Sequence, residues 1–394
     1  MRESITNGFV VTSVGALSTL RTFTLLTGSL LAAAASAAED DFATAVLTPF
    51  WRSQPMTESM FFIQSSADSR PRSALLFKPS RLLKVVSATR ETTFTEGIDY
   101  RLDPKSGVLE LPPGSRIPYK TFDQLHPLMS SDEPKISLQA GDPLRGLFFD
   151  NQDGYHRLQV EVTYECQPGQ WQGPTPRYAG DILPRLLKKL GEGDSVKIFL
   201  SGDSISEGYN ASRFTGARPG CPAYGELFAL AVEKHFGSKV EFQNFAVGGW
   251  QSSQGLKQVI DDRVGEQHPD LMIVAFGMND VFRRDPAAFK QNIKGILNAV
   301  RQDSPATEFI LISTMLGNAE WGMPMEQFAL YRQALSELCE PGIVLADITA
   351  IWEELLKRKS FYDLTGNGVN HPNDFGHRIY AQALMAMLIE SNAE

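Results

Sequence analysis

The second half of the chain alternates short strand-like runs with longer helical stretches. The first strand-like run carries Val196, Ile198 and Leu200, which are apolar and in part β-branched. Asp285 followed by Pro286 has the composition of a helix start, with a capping residue before a proline. The predicted strands are 196–200, 239–242, 271–276, 309–313 and 343–346, and the predicted helices are 224–236, 253–264, 286–301, 325–338 and 375–389. Five such units predict a parallel sheet covered by helices on both faces.

Residues 41–166 have a different texture that indicates a β-rich N-terminal domain. Short apolar runs alternate with clusters of Pro, Gly, Ser and Asp, and the turn-forming segment 103–107 separates two of them. We expect a small sandwich or jelly-roll-like domain, which could bind carbohydrate or only pack against its neighbour. Residues 167–177 read as a linker by composition, which leaves 178–394 as the α/β domain.

The N-terminal residues 1–38 are predicted to be a signal peptide. A charged flank at Arg21 precedes a short apolar run and the small residues Ser36-Ala37-Ala38, which are typical of an Ala-x-Ala-like cleavage site. A membrane anchor or a buried helix is the alternative, but the run is short for a bilayer span. We therefore expect a secreted or periplasmic protein without stable membrane insertion after cleavage.

Charge and cysteine content narrow the classes of partner. The 394-residue chain has a formal net charge of −9 without long charged runs, and it has no nucleic-acid-binding motif. We therefore expect neither nucleic acid nor an anionic membrane as a partner. Cys166, Cys221 and Cys339 match no zinc-binding spacing, and one disulfide among them is possible but not assignable. No metal-ligand spacing is present, so we expect a site without metal or cofactor. The oligomeric state cannot be predicted.

Four short stretches carry the candidate chemistry. Ser204 follows the first strand of the α/β region, and Gly249 belongs to a glycine pair at the end of the next. Asn279 follows the third strand and has an amide suited to an oxyanion, while His371 precedes a proline near the C-terminus. Each stretch alone is weak, because glycine pairs form turns, asparagines cap helices and single histidines often only pack.

Taken in order, these stretches resemble the four sequence blocks of the SGNH (GDSL-type) hydrolase family, over residue 196 to the C-terminus. The resemblance implies a flavodoxin-like three-layer α/β/α sandwich. It also implies that Ser204 is the nucleophile and His371 the base. By the same resemblance, the oxyanion hole consists of the N–H groups of Ser204 and Gly249 with the side chain of Asn279. A serine, a base and oxyanion donors are also what acyl transfer requires.

One family feature is missing. The acidic residue usually stands three positions before the histidine, where this chain has Gly368. Asp363 is the nearest upstream carboxylate, and we expect it to complete the triad. Asp374 is the other local candidate, although a first-turn cap is its more ordinary role. Some family members use a backbone carbonyl instead. Asp203 and Asp280 are expected to fix their loops, since short carboxylates accept backbone N–H bonds.

The sequence thus predicts an ester hydrolase that acts through an acyl-enzyme. Export and the N-terminal β domain favour a polar, polymeric ester over a lipid, so carbohydrate O-deacetylation is the preferred activity. The substrate is accordingly a small-molecule or polysaccharide ester. A lipase, phospholipase or thioesterase of the same fold is one alternative. A carbohydrate-binding protein with a vestigial hydrolase domain is another, which the intact Ser204, Gly249, Asn279 and His371 disfavour.

Overall fold

The structure is a computed structural model that describes residues 37–52 and 54–390. The chain divides into two compact units, Met1–Phe42 and Ala43–Glu394. Residues 37–47 are helical (α1), and residues 1–36 of the predicted signal peptide lie outside the described residues. Within the described ranges, no helix has both the length and the apolar character needed to cross a membrane.

Short strands form small sheets in the N-terminal part of the second unit. The strands are β1 (Met56–Phe61), β2 (Ile63–Gln64), β3 (Arg72–Ala74), β4 (Pro79–Ser87), β5 (Arg101–Asp103), β6 (Val108–Glu110), β7 (Lys120–Thr121), β8 (Lys135–Ser137), β9 (Gly146–Phe148) and β10 (Gln159–Cys166), with short helices α2 (Phe122–Leu125) and α3 (Gly154–Leu158) between them. The sheets have the orders β1-β10-β4, β5-β6-β3-β2-β7 and β8-β9, and all pairs except β2 with β7 are antiparallel. The predicted turn at 103–107 is confirmed, because it joins the β5–β6 hairpin and the Gly107 N–H donates to the Asp103 carbonyl at 2.8 Å.

The C-terminal part is a parallel α/β structure. Its strands are β11 (Val196–Gly202), β12 (Val240–Asn244), β13 (Leu271–Ala275), β14 (Glu308–Ser313) and β15 (Ile343–Asp347). Its helices are α4 (Pro184–Glu192), α5 (Ser204–Glu207), α6 (Ser212–Thr215), α7 (Tyr224–Phe236), α8 (Ser252–Asp261), α9 (Pro286–Asp303), α10 (Met325–Ser336), α11 (Ile348–Leu355) and α12 (Asp374–Leu388), with 3₁₀ turns at Val264–Gln267, Asp280–Arg283, Ala319–Trp321 and Phe361–Asp363. The sheet order is β12-β11-β13-β14-β15 with all pairs parallel. This is the flavodoxin-like order, which confirms the predicted fold class.

The central strands are apolar along their whole length because both faces of the sheet are covered. Every residue of β13 and β14 is buried. The helices form two packed groups, α7 with α12 and α8, α9 and α10 in series, as two helical layers require. The predicted start of α9 is confirmed, since Asp285 accepts the Ala288 N–H at 2.9 Å and Pro286 opens the helix.

A buried apolar cluster joins the N-terminal sheets to the loop that precedes α12. Its members are Phe61, Leu125, Leu147, Phe148, Tyr155, Tyr362 and Val369. Gln159, the first residue of β10, also donates from Nε2 to the carbonyls of Tyr362 and Thr365, at 2.9 and 2.8 Å. The position of this loop therefore depends on the N-terminal strands as well as on the parallel sheet.

The three cysteines are all free thiols. Cys166 and Cys221 are buried, and Cys339 is exposed. Burial raises the pKa of all three thiols. None therefore has the depressed pKa of a reactive thiolate.

Candidate active site

Ser204 lies at the carboxyl end of β11, where the chain turns into the one-turn helix α5. Asp203 caps that helix, and its Oδ1 accepts the Ile205 N–H at 3.0 Å. Burial raises the pKa of Asp203 to about 7, although the bond from Ile205 acts to lower it. The serine itself is 5% exposed. Asp203 thus has the loop-fixing contact expected from the sequence.

His371 meets Ser204 although the two are far apart in the chain. Its Nε2 lies 2.9 Å from the Ser204 Oγ, which is hydrogen-bond distance. Burial, and to a smaller extent His377, lower the pKa of His371 to about 3. The imidazole is therefore neutral near pH 7, which is the state in which Nε2 can accept a proton from a hydroxyl.

The other ring nitrogen of His371 faces amides. Asn210 Oδ1 lies 2.8 Å from Nδ1, and Asn367 Nδ2 lies 2.9 Å from it. Both amides are buried. Neither residue was expected from the sequence, since Asn210 stands beyond the Gly-Asp-Ser block and Asn367 lies one position outside the family spacing. The one sequence feature that could have indicated an amide partner is the high number of asparagines near His371, namely Asn367, Asn370 and Asn373.

Asp363 does not lie at His371, in contrast to the sequence-based expectation. Its Oδ1 accepts the Phe61 N–H at 2.7 Å and the Ser73 hydroxyl at 3.0 Å. Its Oδ2 accepts the Ser360 N–H at 2.9 Å and lies 3.4 Å from Lys359 Nζ. The reason is local, because Ser360 and Asp363 form a capping box that turns the carboxylate toward the N-terminal strands.

Asp374, the alternative carboxylate, contacts Ser212 and His156. It stands in the first turn of α12, and its Oδ1 accepts the Ser212 N–H at 2.7 Å. Its Oδ2 lies 4.0 Å from His156 Nδ1. Asp374 therefore ties α12 to the start of α6.

The predicted oxyanion donors lie on the loops that follow β12 and β13. Gly249 has φ +77°, which favours glycine, and a Cβ there would meet open space. Asn279 donates from Nδ2 to the Trp250 carbonyl at 2.9 Å, so its amide lies directly beside the Gly249 loop. The first loop is tied to the serine strand, since the Val247 N–H donates to the Gly202 carbonyl at 3.1 Å. The structure thus gathers both residues at the sheet edge that carries Ser204.

Asp280 stabilises the Asn279 loop through hydrogen bonds to Ser252. Its Oδ1 accepts the N–H and the hydroxyl of Ser252, at 3.0 and 2.5 Å. Burial raises the pKa of this carboxyl, while the Ser252 bonds act against the rise. Asp280 therefore links the start of α8 to the end of β13, as a structural carboxylate does.

Two pairs of aromatic rings, one beside His371 and one shortly after Asn279 in the chain, were not expected from the sequence. The ring of Tyr209 lies 5.2 Å from that of His371 and 4.5 Å from that of Phe214. Phe282, three residues after Asn279, lies 5.6 Å from the Trp321 ring. No periodicity marks these residues, because they lie on loops and short turns.

Among the residues that the structure describes, no group of three or more His, Cys, Asp and Glu side chains is arranged to hold a metal ion. A site that works without metal or cofactor stays a prediction. The chemistry open to the described groups is proton transfer between Ser204 and His371 with charge stabilisation by nearby N–H donors.

Comparison with known proteins gives a family match within the α/β region. Residues 200–379 match the model of the GDSL-like lipase/acylhydrolase family. No curated protein gave a match. The family match confirms the predicted resemblance to SGNH (GDSL-type) hydrolases and supports the prediction of an ester-bond hydrolase.

Solved structures with similar folds include several esterases. A two-domain esterase (CEX) active on acetylated mannans is 21% identical, with a TM-score of 0.44 over 55% of this chain and 54% of that one. The lipase Lip_vut3 from goat rumen metagenome is 18% identical, with a TM-score of 0.41 over 49% of this chain and 97% of that one. Axe2, an acetylxylan esterase from Geobacillus stearothermophilus, is 20% identical, with a TM-score of 0.40 over 50% and 96%. The chain spans about half the length of the two-domain esterase.

Proposed function

We propose that this chain, whose residues 200–379 match the GDSL-like lipase/acylhydrolase family, is a serine esterase that acts through an acyl-enzyme on Ser204. One observation carries the proposal. The buried, neutral imidazole of His371 stands with Nε2 2.9 Å from the Ser204 Oγ. A hydroxyl without such a base is a weak nucleophile.

The reaction follows from these positions. His371 Nε2 takes the proton of Ser204 as Oγ attacks the ester carbonyl, and it then gives that proton to the leaving alcohol. Water, activated by the same nitrogen, adds to the acyl-enzyme and releases the acid. The negative oxygen of each tetrahedral intermediate is held by the N–H groups of Ser204 and Gly249 and by the Asn279 amide.

The proposed substrate is an O-acetylated carbohydrate. Two rings are exposed, Phe214 at 46% and Phe282 at 42%; Phe214 packs on Tyr209 beside His371, and Phe282 follows Asn279 by three residues. Their partners, Tyr209 and Trp321, combine an apolar ring with a polar group, as suits a ligand with apolar faces and hydroxyl edges. A lipid-directed esterase of the same fold is the second candidate, because exposed phenyl rings also contact acyl chains.

The proposal includes export through residues 1–38. The composition of that segment supports it, with a charged flank, an apolar run and a small-residue cleavage site. Expression of the full chain in a host with a secretory pathway, followed by N-terminal sequencing of the exported protein, tests this. We expect the mature protein to begin at Glu39. An uncleaved protein that stays in the cytoplasm would contradict export and leave the chemistry unaffected.

The activity is tested with Ser204→Ala beside Ser201→Ala, a matched control. The Ser201 hydroxyl is buried three residues upstream and has no hydrogen-bond partner among the described groups. We expect the purified parent and the control to hydrolyse p-nitrophenyl acetate faster than the octanoate, and to release acetate from acetylated polysaccharides. The Ser204→Ala variant should lose about 10⁴-fold or more in kcat.

Three outcomes of this assay distinguish the proposed function from its alternatives. No hydrolysis of any ester by the parent, or equal rates for parent and Ser204→Ala, would refute the serine mechanism. Faster hydrolysis of octanoate than of acetate would favour the lipid-directed esterase. Acetyl ester hydrolysis without release from any polysaccharide would leave the serine mechanism standing and refute the carbohydrate substrate.

A further inference from the structure

The Nδ1 atom of His371 has two candidate partners, and both are neutral. Asn210 presents an oxygen at 2.8 Å and Asn367 a nitrogen at 2.9 Å. An imidazole nitrogen can donate to the first or accept from the second, but it cannot do both. Which amide it serves decides whether Nε2 is free to accept the Ser204 proton.

Asn210 is held with its oxygen toward the imidazole. On the far side of the amide, Nδ2 donates to the Gln152 backbone carbonyl at 3.1 Å. Exchanging the two ends of the amide would place carbonyl oxygen against carbonyl oxygen there. The backbone of Asn210 has φ +63°, which asparagine and aspartate adopt more readily than other non-glycine residues. The fold therefore presents a hydrogen-bond acceptor to Nδ1.

Asn367 is equally fixed, but its nitrogen has other acceptors. Its Oδ1 accepts the backbone N–H groups of Val369, Asn370 and His371, at 2.9, 3.0 and 3.1 Å. Its Nδ2 lies 3.1 Å from Asn370 Oδ1 and 3.3 Å from Asn151 Oδ1, so both amide hydrogens can be used without the imidazole.

Only one protonation pattern satisfies every group. An unprotonated Nδ1 would set its lone pair against the oxygen of Asn210 at 2.8 Å. A protonated Nδ1 donates to that oxygen and leaves Asn367 to its two side-chain acceptors. Since buried polar groups are almost always paired, the second pattern is the stable one.

We propose that Asn210 is the positioning residue of this site and takes the place of the triad carboxylate, with its oxygen fixing the Nδ1–H form of His371. The inference rests on the proposed serine mechanism. An asparagine in place of the triad aspartate is harmful where its N–H selects the wrong tautomer. Here the Gln152 carbonyl prevents that orientation.

The fold also excludes a carboxylate from the usual family position. Gly368 has φ +85°, and a Cβ there would lie 2.2 Å from the Tyr155 hydroxyl and 2.6 Å from the Phe148 carbonyl. Both obstacles belong to the N-terminal part of the unit, which also supplies the Gln152 carbonyl. An aspartate at position 368 cannot fit without displacing them.

A neutral orienter has a measurable electrostatic consequence. The groups that face His371 are Ser204, Tyr209, Asn210 and Asn367, and His377 acts on it through space. None of these side chains is a carboxylate. Imidazolium formation is therefore unfavourable, in agreement with the pKa of about 3. A carboxylate in place of the Asn210 amide would raise that pKa by about 1–3 units.

The test uses Asn210→Asp, Asn210→Gly and the control Asn151→Asp in the full chain. The aspartate suits the backbone at 210 although it loses the hydrogen bond to the Gln152 carbonyl, and glycine removes the side chain without straining the backbone. The control adds the same charge beside Asn367 rather than at Nδ1, on a residue that is partly exposed. Two readouts are needed: the pH profile of kcat/KM on p-nitrophenyl acetate, and ¹⁵N NMR of the His371 ring, assigned with His371→Gln.

We expect the parent ring to be Nδ1–H at pH 7 and Asn210→Asp to raise its pKa and the acidic limb of the profile by about 1–3 pH units. In Asn210→Gly the remaining neighbour is the Asn367 nitrogen, so the ring should turn to Nε2–H and kcat should fall by about 10²–10⁴-fold. Asn151→Asp should move the limb much less.

An Nε2–H ring in the parent, or an unchanged His371 pKa in Asn210→Asp, would overturn the inference. The NMR readout needs no substrate, so it decides the role of Asn210 even if no ester is hydrolysed. Conversely, activity that depends on Ser204 but not on Asn210 would overturn the inference and leave the proposed function intact.

Discussion

Replacing Asp363 by alanine is expected to destabilise the protein and to leave catalysis largely unchanged. The carboxylate is buried and accepts hydrogen bonds from Phe61, Ser73 and Ser360, with Lys359 at 3.4 Å. Burial raises the pKa of Asp363, and the nearby Lys359 acts in the opposite direction. The substitution would therefore remove one anion and one acceptor from the middle of a buried network.

The size of the loss in stability depends on the contacts that Lys359 keeps in the variant. Lys359 keeps an ion pair with Glu58 at 2.6 Å and a hydrogen bond to the Ala74 carbonyl at 2.8 Å, so its charge is not left alone. Breaking a buried ion pair costs about 3–5 kcal/mol. The cost of leaving the hydrogen-bond donors unpaired is not added to this range, because both costs describe the same buried network. Unfolding entropy is about 2.1 cal/mol/K per residue, or about 0.7 kcal/mol/K for a unit of about 350 residues. The melting temperature should then fall by about 4–7 °C.

The assay combines calorimetry with initial rates at 20 °C. Ser73→Ala is the matched control, because it removes one donor from the same carboxylate and should lower the melting temperature by a smaller amount. We expect kcat/KM of Asp363→Ala to stay within about threefold of the parent. An unchanged melting temperature together with a loss of about 10³-fold or more in kcat would refute this reasoning and assign Asp363 to the catalytic machinery.

Two further predictions concern the oxyanion hole and acid stability. Asn279→Ala should lower kcat by about 10²–10³-fold with little change in KM, measured on p-nitrophenyl acetate, and an unchanged kcat would remove Asn279 from the site. Burial lowers the pKa of His371 to about 3 and that of His377 to about 4, so the unfolded chain takes up protons at these residues first as the pH falls. The two histidines should therefore lower the free energy of unfolding from pH 7 to pH 4, while Asp203, whose pKa is raised to about 7, acts in the opposite direction. Relative to the parent, His377→Gln should remove its share of the acid-induced decrease in denaturant titrations at several pH values.

The parallel sheet and its site edge were predictable because both follow from local patterns. Each strand of the α/β region is a continuous apolar run, since both faces are covered. Candidate residues at the carboxyl ends of such strands meet at one edge of the sheet. Ser204, Gly249 and Asn279 follow β11, β12 and β13, which are neighbours in the sheet, so their spacing along the chain was enough to group them.

The orientation of the base was not predictable, because long-range contacts determine it. Asp363 lies close to His371 in sequence, but its carboxylate faces Ser360 and β1. Asn210 is far from His371 in sequence and reaches it because Gln152, from the N-terminal part of the unit, holds its amide. No spacing rule within one block contains information about a backbone carbonyl that lies in another part of the fold.

The N-terminal strands therefore affect the geometry of the site as well as the packing of the unit. Gln159 bonds the carbonyls of Tyr362 and Thr365, and Tyr155 fills the space that a side chain at Gly368 would need. These contacts shape the loop that ends at His371, and they leave no room for the carboxylate of the family. An amide from another loop can serve in its place because the histidine needs an acceptor in a fixed orientation, and the same N-terminal part provides the carbonyl that fixes it. The same N-terminal residues thus exclude a carboxylate at position 368 and hold the Asn210 amide that we propose in its place.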